Sequence, residues 1–161
     1  MNHDSLQLRT ATLDDYDCYY KIRAEKINLF WTGYENAPNY DDFSTWYKNR
    51  LSDNTRDLFL LFQGKNCIGS LNIDHYDNYV LIGYSIKENY NGKGLGTYLV
   101  QSAVKLVRKK ATIKSLKAWI NYQNVGSIRV IEKNGFSKND LTEIRNRFGK
   151  DELYYQYELS L

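Results

Sequence analysis

The chain is poor in the residues that define several whole classes of protein. Its 161 residues include two cysteines, two histidines and a single proline. Cys18 and Cys67 lie far apart with no metal-ligand spacing around them, so they are expected to be reduced thiols in a cytoplasmic protein without a disulfide framework. His3 and His75 belong to no ligand cluster, and no metal site is expected. Pro38 falls in a loop, and without repeats or low-complexity tracts nothing suggests a linker, so 1–161 reads as one domain. No apolar run approaches the roughly 20 residues that span a bilayer. The polar opening, Met1-Asn-His-Asp-Ser, leads straight into a strand-like stretch, so neither a secretory leader nor membrane attachment is expected.

Charge of one sign is also scarce. A net charge of +3 is too small to argue for a nucleic-acid partner. The basic cluster Lys105, Arg108, Lys109, Lys110, Lys114 and Lys117 reads chiefly as a solvated helix face and its exit turn, with attraction of a polyanionic cofactor as a further reading.

What is present is a globular balance, 42% hydrophobic and 25% charged residues, with an excess of tyrosine at 15. Leu6–Thr10 alternates like a strand. Thr12 and Asp15 resemble a capping box, opening a helix that carries Leu13, Tyr16, Tyr19, Tyr20, Ile22 and Ile27. A second helix is expected over 41–51. Strands over 57–63, 66–74 and 79–87 follow with connections short enough to require antiparallel pairing. Helix 95–110, strand 115–121, helix 125–134 and a hairpin pairing 136–147 with the terminal segment complete the chain. The result is a mixed α/β (α+β) sheet, not the regular alternation of a doubly wound fold.

The most informative segment is Ile82-Gly-Tyr-Ser-Ile-Lys-Glu-Asn-Tyr-Asn-Gly-Lys-Gly-Leu-Gly-Thr97. A strand runs into Gly92, Gly94 and Gly96, and a helix leaves at once. Free N–H groups at the start of that helix, its dipole and Lys93 together form the chemistry of a pyrophosphate cradle. A P-loop would need a lysine between Gly96 and Thr97. A dinucleotide fold would place the loop after the first strand of a βαβ unit, with a third glycine at Thr97.

The motif Asn91-Gly-Lys-Gly94-Leu-Gly96 resembles the coenzyme A site of the GNAT superfamily of N-acetyltransferases, with Asn91 in place of the usual Arg or Gln. Downstream, Asn124-Val-Gly-Ser127-Ile-Arg-Val-Ile-Glu-Lys133-Asn-Gly135-Phe136 is similar to that family's second signature, in the form found among the ribosomal-protein N-terminal acetyltransferases. The resemblance implies the GNAT acyl-CoA N-acyltransferase fold and acetyl-CoA as co-substrate. It implies a cofactor site of Ser85, Ile86, Lys87, Asn91, Gly92, Lys93, Gly94, Leu95, Gly96, Thr97, Asn124, Ser127 and Lys133. Gly83–Ile86 would be the end of the family's splayed strand. Asn124 reads equally as the N-cap of its helix.

Two departures from the family pattern stand out. The position of the tyrosine that protonates the leaving thiolate is Ile131, which leaves Ser127, with Tyr122 or a water behind it, as the replacement. The strand Tyr79–Ile82 lacks the family's glutamate base. His75 is the candidate of suitable pKa, beside Asp74, Asp77, Glu25 and Glu35. In the family, the region around Asn28–Tyr40 closes over the acceptor. Phe30, Trp31, Tyr34 and Tyr40 would wall the acceptor, with Glu25 and Glu35 attracting its ammonium, or the aromatics would simply pin the loop to the core. The expected activity is transfer of acetyl to a primary amine of a small molecule, such as an amino sugar or its nucleotide. The alternatives are a peptide N-terminus as acceptor, or a non-catalytic acetyl-CoA-binding module. The protein is expected to be a monomer or homodimer.

Overall fold

The computed structural model describes residues 5–161, so His3 lies outside the described residues. Seven strands and five α-helices follow one another as β1 (Leu6–Thr10), α1 (Tyr16–Arg23), α2 (Lys26–Thr32), α3 (Tyr40–Ser52), β2 (Arg56–Gln63), β3 (Asn66–His75), β4 (Tyr79–Ile86), α4 (Leu95–Val107), β5 (Ser115–Asn121), α5 (Val125–Lys133), β6 (Ser137–Arg147) and β7 (Lys150–Ser160). The strands form one sheet in the order β1-β2-β3-β4-β5-β7-β6. Short turns make β2, β3 and β4 an antiparallel meander, as the connection lengths demand, and β1, separated from β2 in the chain by α1 to α3, pairs antiparallel with β2 at the sheet edge. The long crossover through α4 makes β4 and β5 parallel.

The parallel pair positions the site. Only Tyr79–Ser115, Val80–Leu116 and Leu81–Lys117 are in register. Beyond Leu81, β4 stays with β3 to the Gly69–Ile86 pair, while β5 follows β7 to Asn121–Tyr154. The two central strands therefore part, and the sheet opens into a wedge at their C-terminal ends.

Two cores flank the sheet. Six apolar residues of α4, at the spacing of one helical face, pack with Ile73, Val80, Ile82 and Leu116. Tyr19, Ile22 and Tyr47 pack with Leu58 and Leu60 in a second cluster. Cys67 belongs to this second cluster, with Cys18 packed against it, and the two are joined in a disulfide with Cα atoms 6.2 Å apart. This corrects the expectation of two unpaired thiols. Their separation of 49 residues gave no hint, because the contact is made by α1 lying across the start of β3.

The first expected helix is in fact two. A capping box at Thr12 and Asp15 opens a short 3-10 turn before α1, and the chain turns extended at Glu25 before α2 restarts. Asn28 stabilises the break from a buried position, its Nδ2 donating to the carbonyls of Ile22 (2.9 Å) and Ile86 (3.3 Å). The first of these adds to the Glu25 N–H on the Ile22 carbonyl, at the end of α1. Phe30 and Trp31 consequently sit on a helix, which ends at Gly33 in the left-handed conformation.

Candidate active site

The glycine loop folds as a cradle, and its glycines do two different jobs. Gly92 and Gly94 have φ of 74° and 78°, a region that side chains rarely enter, and Gly94 is the N-cap of α4. Gly96 has ordinary backbone geometry. A Cβ there would meet Val130 at 3.3 Å, so its missing side chain lets α4 lie close against α5. The loop, the start of α4 and the start of α5 enclose a cleft of about 600 Å³ lined by Ser85, Ile86, Asn91, Gly92, Gly94, Leu95, Gly96, Thr97, Asn124, Ser127 and Lys133. Those are eleven of the thirteen residues expected to hold a cofactor. The other two, Lys87 and Lys93, lie outside the lining, and the ammonium of Lys93 sits 5.1 Å from the ring of Tyr90. Among the described residues no carboxylate lines this cleft, while Arg129 and Lys133 do. With the free N–H groups of α4, these two cations suit a polyanion.

A second cleft of about 500 Å³ opens along the wedge, between α2, the ends of β4 and β5, and the β6–β7 hairpin. Trp31, Tyr84, Ser85, Asn124 and Ser127 line both clefts, so the two meet at the splayed strands. Asn124 holds the start of α5 there, its Oδ1 accepting from the Ser127 N–H at 3.1 Å. Its capping role is thus realised in a position that also lines both clefts. The Tyr84 hydroxyl donates to the Ser127 carbonyl at 3.3 Å, and burial pushes its phenol up to about 12. Tyr84 carried no motif signal of its own. The position reserved for a tyrosine on α5, Ile131, is fully buried in the main core.

The second cleft is built from side chains far apart in sequence: Arg23, Trp31, Tyr34, Asn72, Trp119, Asn121, Arg145, Arg147 and Tyr154 all face it. Arg147 organises the wall. Its guanidinium pairs with Glu152 (2.6 and 2.9 Å), donates to the Phe30 carbonyl (2.9 Å) and lies 4.2 Å from the Phe30 ring and 5.3 Å from that of Trp31. The hydrogen bond from Arg147 holds the Glu152 carboxyl below its usual range, with Asn121 adding a second donor. Arg147 is 3% exposed and Glu152 half-buried, so the arginine end of this pair is internal.

Several expected residues fall elsewhere. His75 pairs with Val80 at the base of the sheet, whereas Ser85 pairs with Ser70. Five residues of strand separate the two levels, roughly 16 Å. There the His75 Nε2 contacts Asp57 (2.7 Å) and Lys110 (3.3 Å), and the residue lines neither cleft. Tyr122 is exposed past the end of β5, its hydroxyl accepting from Gln123 at 2.9 Å, and lines neither cleft. Glu25 turns away to accept the Glu88 N–H at 2.8 Å, tying α2 to the segment after β4. Glu35 and Asp77 are exposed and line neither cleft. Asp74 is bound to Arg50 at 2.7 Å. Of the aromatic wall, Trp31 and Tyr34 line the second cleft, whereas Tyr40 packs on Tyr16 and Tyr20 with ring centroids 4.9 and 4.8 Å apart. The basic cluster after Lys105 lies at and beyond the other end of α4, away from the glycine loop.

Comparison with known proteins agrees with this geometry. Residues 5–137 match the family model described as the acetyltransferase (GNAT) domain. The chain is 26% identical over 144 residues to a probable N-acetyltransferase, YjcK, of Bacillus subtilis, an alignment covering 86% of this chain and 76% of that one. The fold superimposes on spermidine N-acetyltransferase from Vibrio cholerae, solved with CoA and spermine, with a TM-score of 0.85 at 16% identity, covering 97% and 95% of the two chains. It superimposes equally well, TM-score 0.85 at 14% identity, on a Salmonella typhimurium acetyltransferase that modifies the N-terminal serine of ribosomal protein L7/L12, with 98% and 96% covered. The wedge between β4 and β5, the cradle ahead of α4 and the family match over most of the chain lead to one conclusion: this protein belongs to the GNAT family of acetyltransferases.

Proposed function

We propose that the protein transfers acetyl from acetyl-CoA to a primary amine of a small molecule by direct attack in a ternary complex. The observation that carries this reading is the meeting of the two clefts at Ser85, Asn124 and Ser127. A cofactor whose diphosphate rests on the α4 N-terminus would run its thiol-bearing arm along β4 to that junction. An amine in the second cleft would then face the thioester. Nitrogen attacks the carbonyl carbon, the C–S bond breaks, the thiolate takes a proton, and the new ammonium loses one to water.

The junction offers three hydroxyls to the departing sulfur, those of Tyr84, Ser85 and Ser127. Among the described residues no carboxylate lines either of the two clefts. Alignment of the reactants then supplies most of the rate, and the amine reacts in its neutral form. Turnover per unit of substrate should therefore rise about tenfold per pH unit until the pKa of the acceptor amine itself. Coenzyme A release, followed by thiol trapping across a panel of amino sugars, amino acids, polyamines and N-terminal peptides, tests the reading. A selective small-molecule hit is expected. Turnover confined to peptides would move the protein to the N-terminal acetyltransferases, and a plateau near pH 6 to 7 would expose a base on the protein.

A further inference from the structure

The expectation that acidic side chains draw in the acceptor fails in an informative way. The second cleft continues into a third hollow of about 320 Å³ above β3 and β4, and the two share Arg23, Asn72, Ile82, Gly83, Trp119 and Arg145. Across both, the charged residues in the lining are Arg23, Arg50, Arg145, Arg147 and Asp74. Two of the arginines are neutralised inside the protein, Arg50 by Asp74 at 2.7 Å and Arg147 by Glu152 at 2.6 Å.

The remaining two are different. Arg145 stacks on Tyr154 at 4.5 Å and approaches Trp119 at 5.9 Å. Its one carboxylate partner is Glu143 at 3.0 Å, and both side chains of that pair are over 40% exposed. An exposed pair of this kind is largely screened and neutralises little. Arg23, in the last turn of α1, has no ion-pair partner among the described residues, and it lines both hollows. One guanidinium held by aromatic faces and one without a counter-charge thus border the same space.

From these two side chains we infer that the natural acceptor is an amine that also carries an oxyanion, a carboxylate or a phosphate-type group, held by Arg23 and Arg145 while the amine faces the junction. This rests on the acetyl-transfer reading above and names its substrate class. Guanidinium groups present paired donors that match the two oxygens of such an anion. A polyamine would bring further positive charge against them without any lining carboxylate free to receive it. Arg23 and Arg145 are positioning residues for the acceptor and take no part in bond making.

Matched acceptors decide the matter, each offered at fixed acetyl-CoA: an amino acid against its amide, an amino-sugar phosphate against the free amino sugar, and spermidine. At least one oxyanion-bearing member should exceed its neutral partner by tenfold or more in kcat/KM, and which pair shows the gap separates carboxylate from phosphate. With that acceptor, Arg23→Gln should raise KM about tenfold with kcat within twofold, while KM for the neutral partner stays put. Arg145→Lys should retain more of the discrimination than Arg145→Gln. The melting temperature of Arg23→Gln should match the unsubstituted protein, since no ion pair is lost. Equal turnover of both members of every pair, preference for spermidine, or an unmoved KM in Arg23→Gln would overturn the assignment. So would silence across the panel with acetyl-CoA still raising the melting temperature, an outcome that leaves the cofactor reading standing. Absence of that thermal shift would sink the acetyl-transfer reading and this one with it.

Discussion

The glycine-loop cleft and the acceptor cleft share one wall, yet they are made in opposite ways. The first is largely backbone: Gly92 and Gly94 in the left-handed region, the N-terminus of α4, and Asn124 folding back onto its own helix. Its residues come mostly from two short stretches, 84–97 and 123–133. The second is side-chain work, drawn from α1, α2, β3, β4, β5, α5, β6 and β7, and braced by Arg147. A site made from backbone at one strand-to-helix junction depends on a few glycines, whereas a site made from eight elements depends on the packing of all of them.

The contrast can be broken most forcefully at Arg147. Arg147→Ala strips the half-buried Glu152 of its partner and removes the brace between the hairpin and α2. A stability loss of about 1.5–3 kcal/mol is expected, read by urea unfolding. The fraction that still folds should keep its acetyl-CoA affinity while losing acceptor saturation, and an unchanged acceptor KM would erase the distinction between the clefts. Gly94→Glu should do the reverse. It places an anion in the cradle and a side chain at positive φ, so acetyl-CoA affinity should fall at least 100-fold. The stability cost should be only about 1–2 kcal/mol, because no atom lies within 4 Å of the new Cβ.

Asp15 serves as a reference point outside both clefts. Arg9 grips its carboxylate at 2.7 and 2.8 Å, with further bonds from the Thr12 N–H and hydroxyl, and holds it down at about 2. Because the folded value lies below the unfolded one, the stabilisation is present above pH 4 and disappears as pH falls toward 2. About 2 kcal/mol should be lost across that window. In Asp15→Asn this part of the acid limb should be gone, with acetyl-CoA affinity unmoved. The smallest effect belongs to the shared wall. Tyr84→Phe removes one bond of 3.3 Å and should cost under about 1 kcal/mol. Since the phenol stays protonated to about 12, the pH–rate profile below pH 10 should keep its shape.

The same contrast explains what could be read from the sequence. Strand and helix order followed from periodicity and turn residues, and β5 was placed at 115–121 by its pattern alone. The cradle was legible because its parts are neighbours in the chain, with glycine spacing as their signal. The acceptor cleft was not, since Arg23, Asn72, Trp119 and Arg145 converge only through sheet order and carry no motif. His75 misled because a suitable pKa says nothing about which end of a strand faces the wedge. Glu25 misled because its carboxylate serves a backbone N–H. The break between α1 and α2 depends on Asn28 reaching Ile86, a contact 58 residues long that no local pattern reports.

The wall common to both clefts has a thermodynamic consequence. Trp31, Tyr84, Ser85, Asn124 and Ser127 each belong to the surroundings of either ligand, so ordering them for one changes the work left for the other. Whatever factor the cofactor adds to acceptor affinity, the acceptor must return to the cofactor in equal measure. A screen for acceptors run without coenzyme A would then look at a site whose shared side chains have not yet been set, and would undervalue the true one by that same factor.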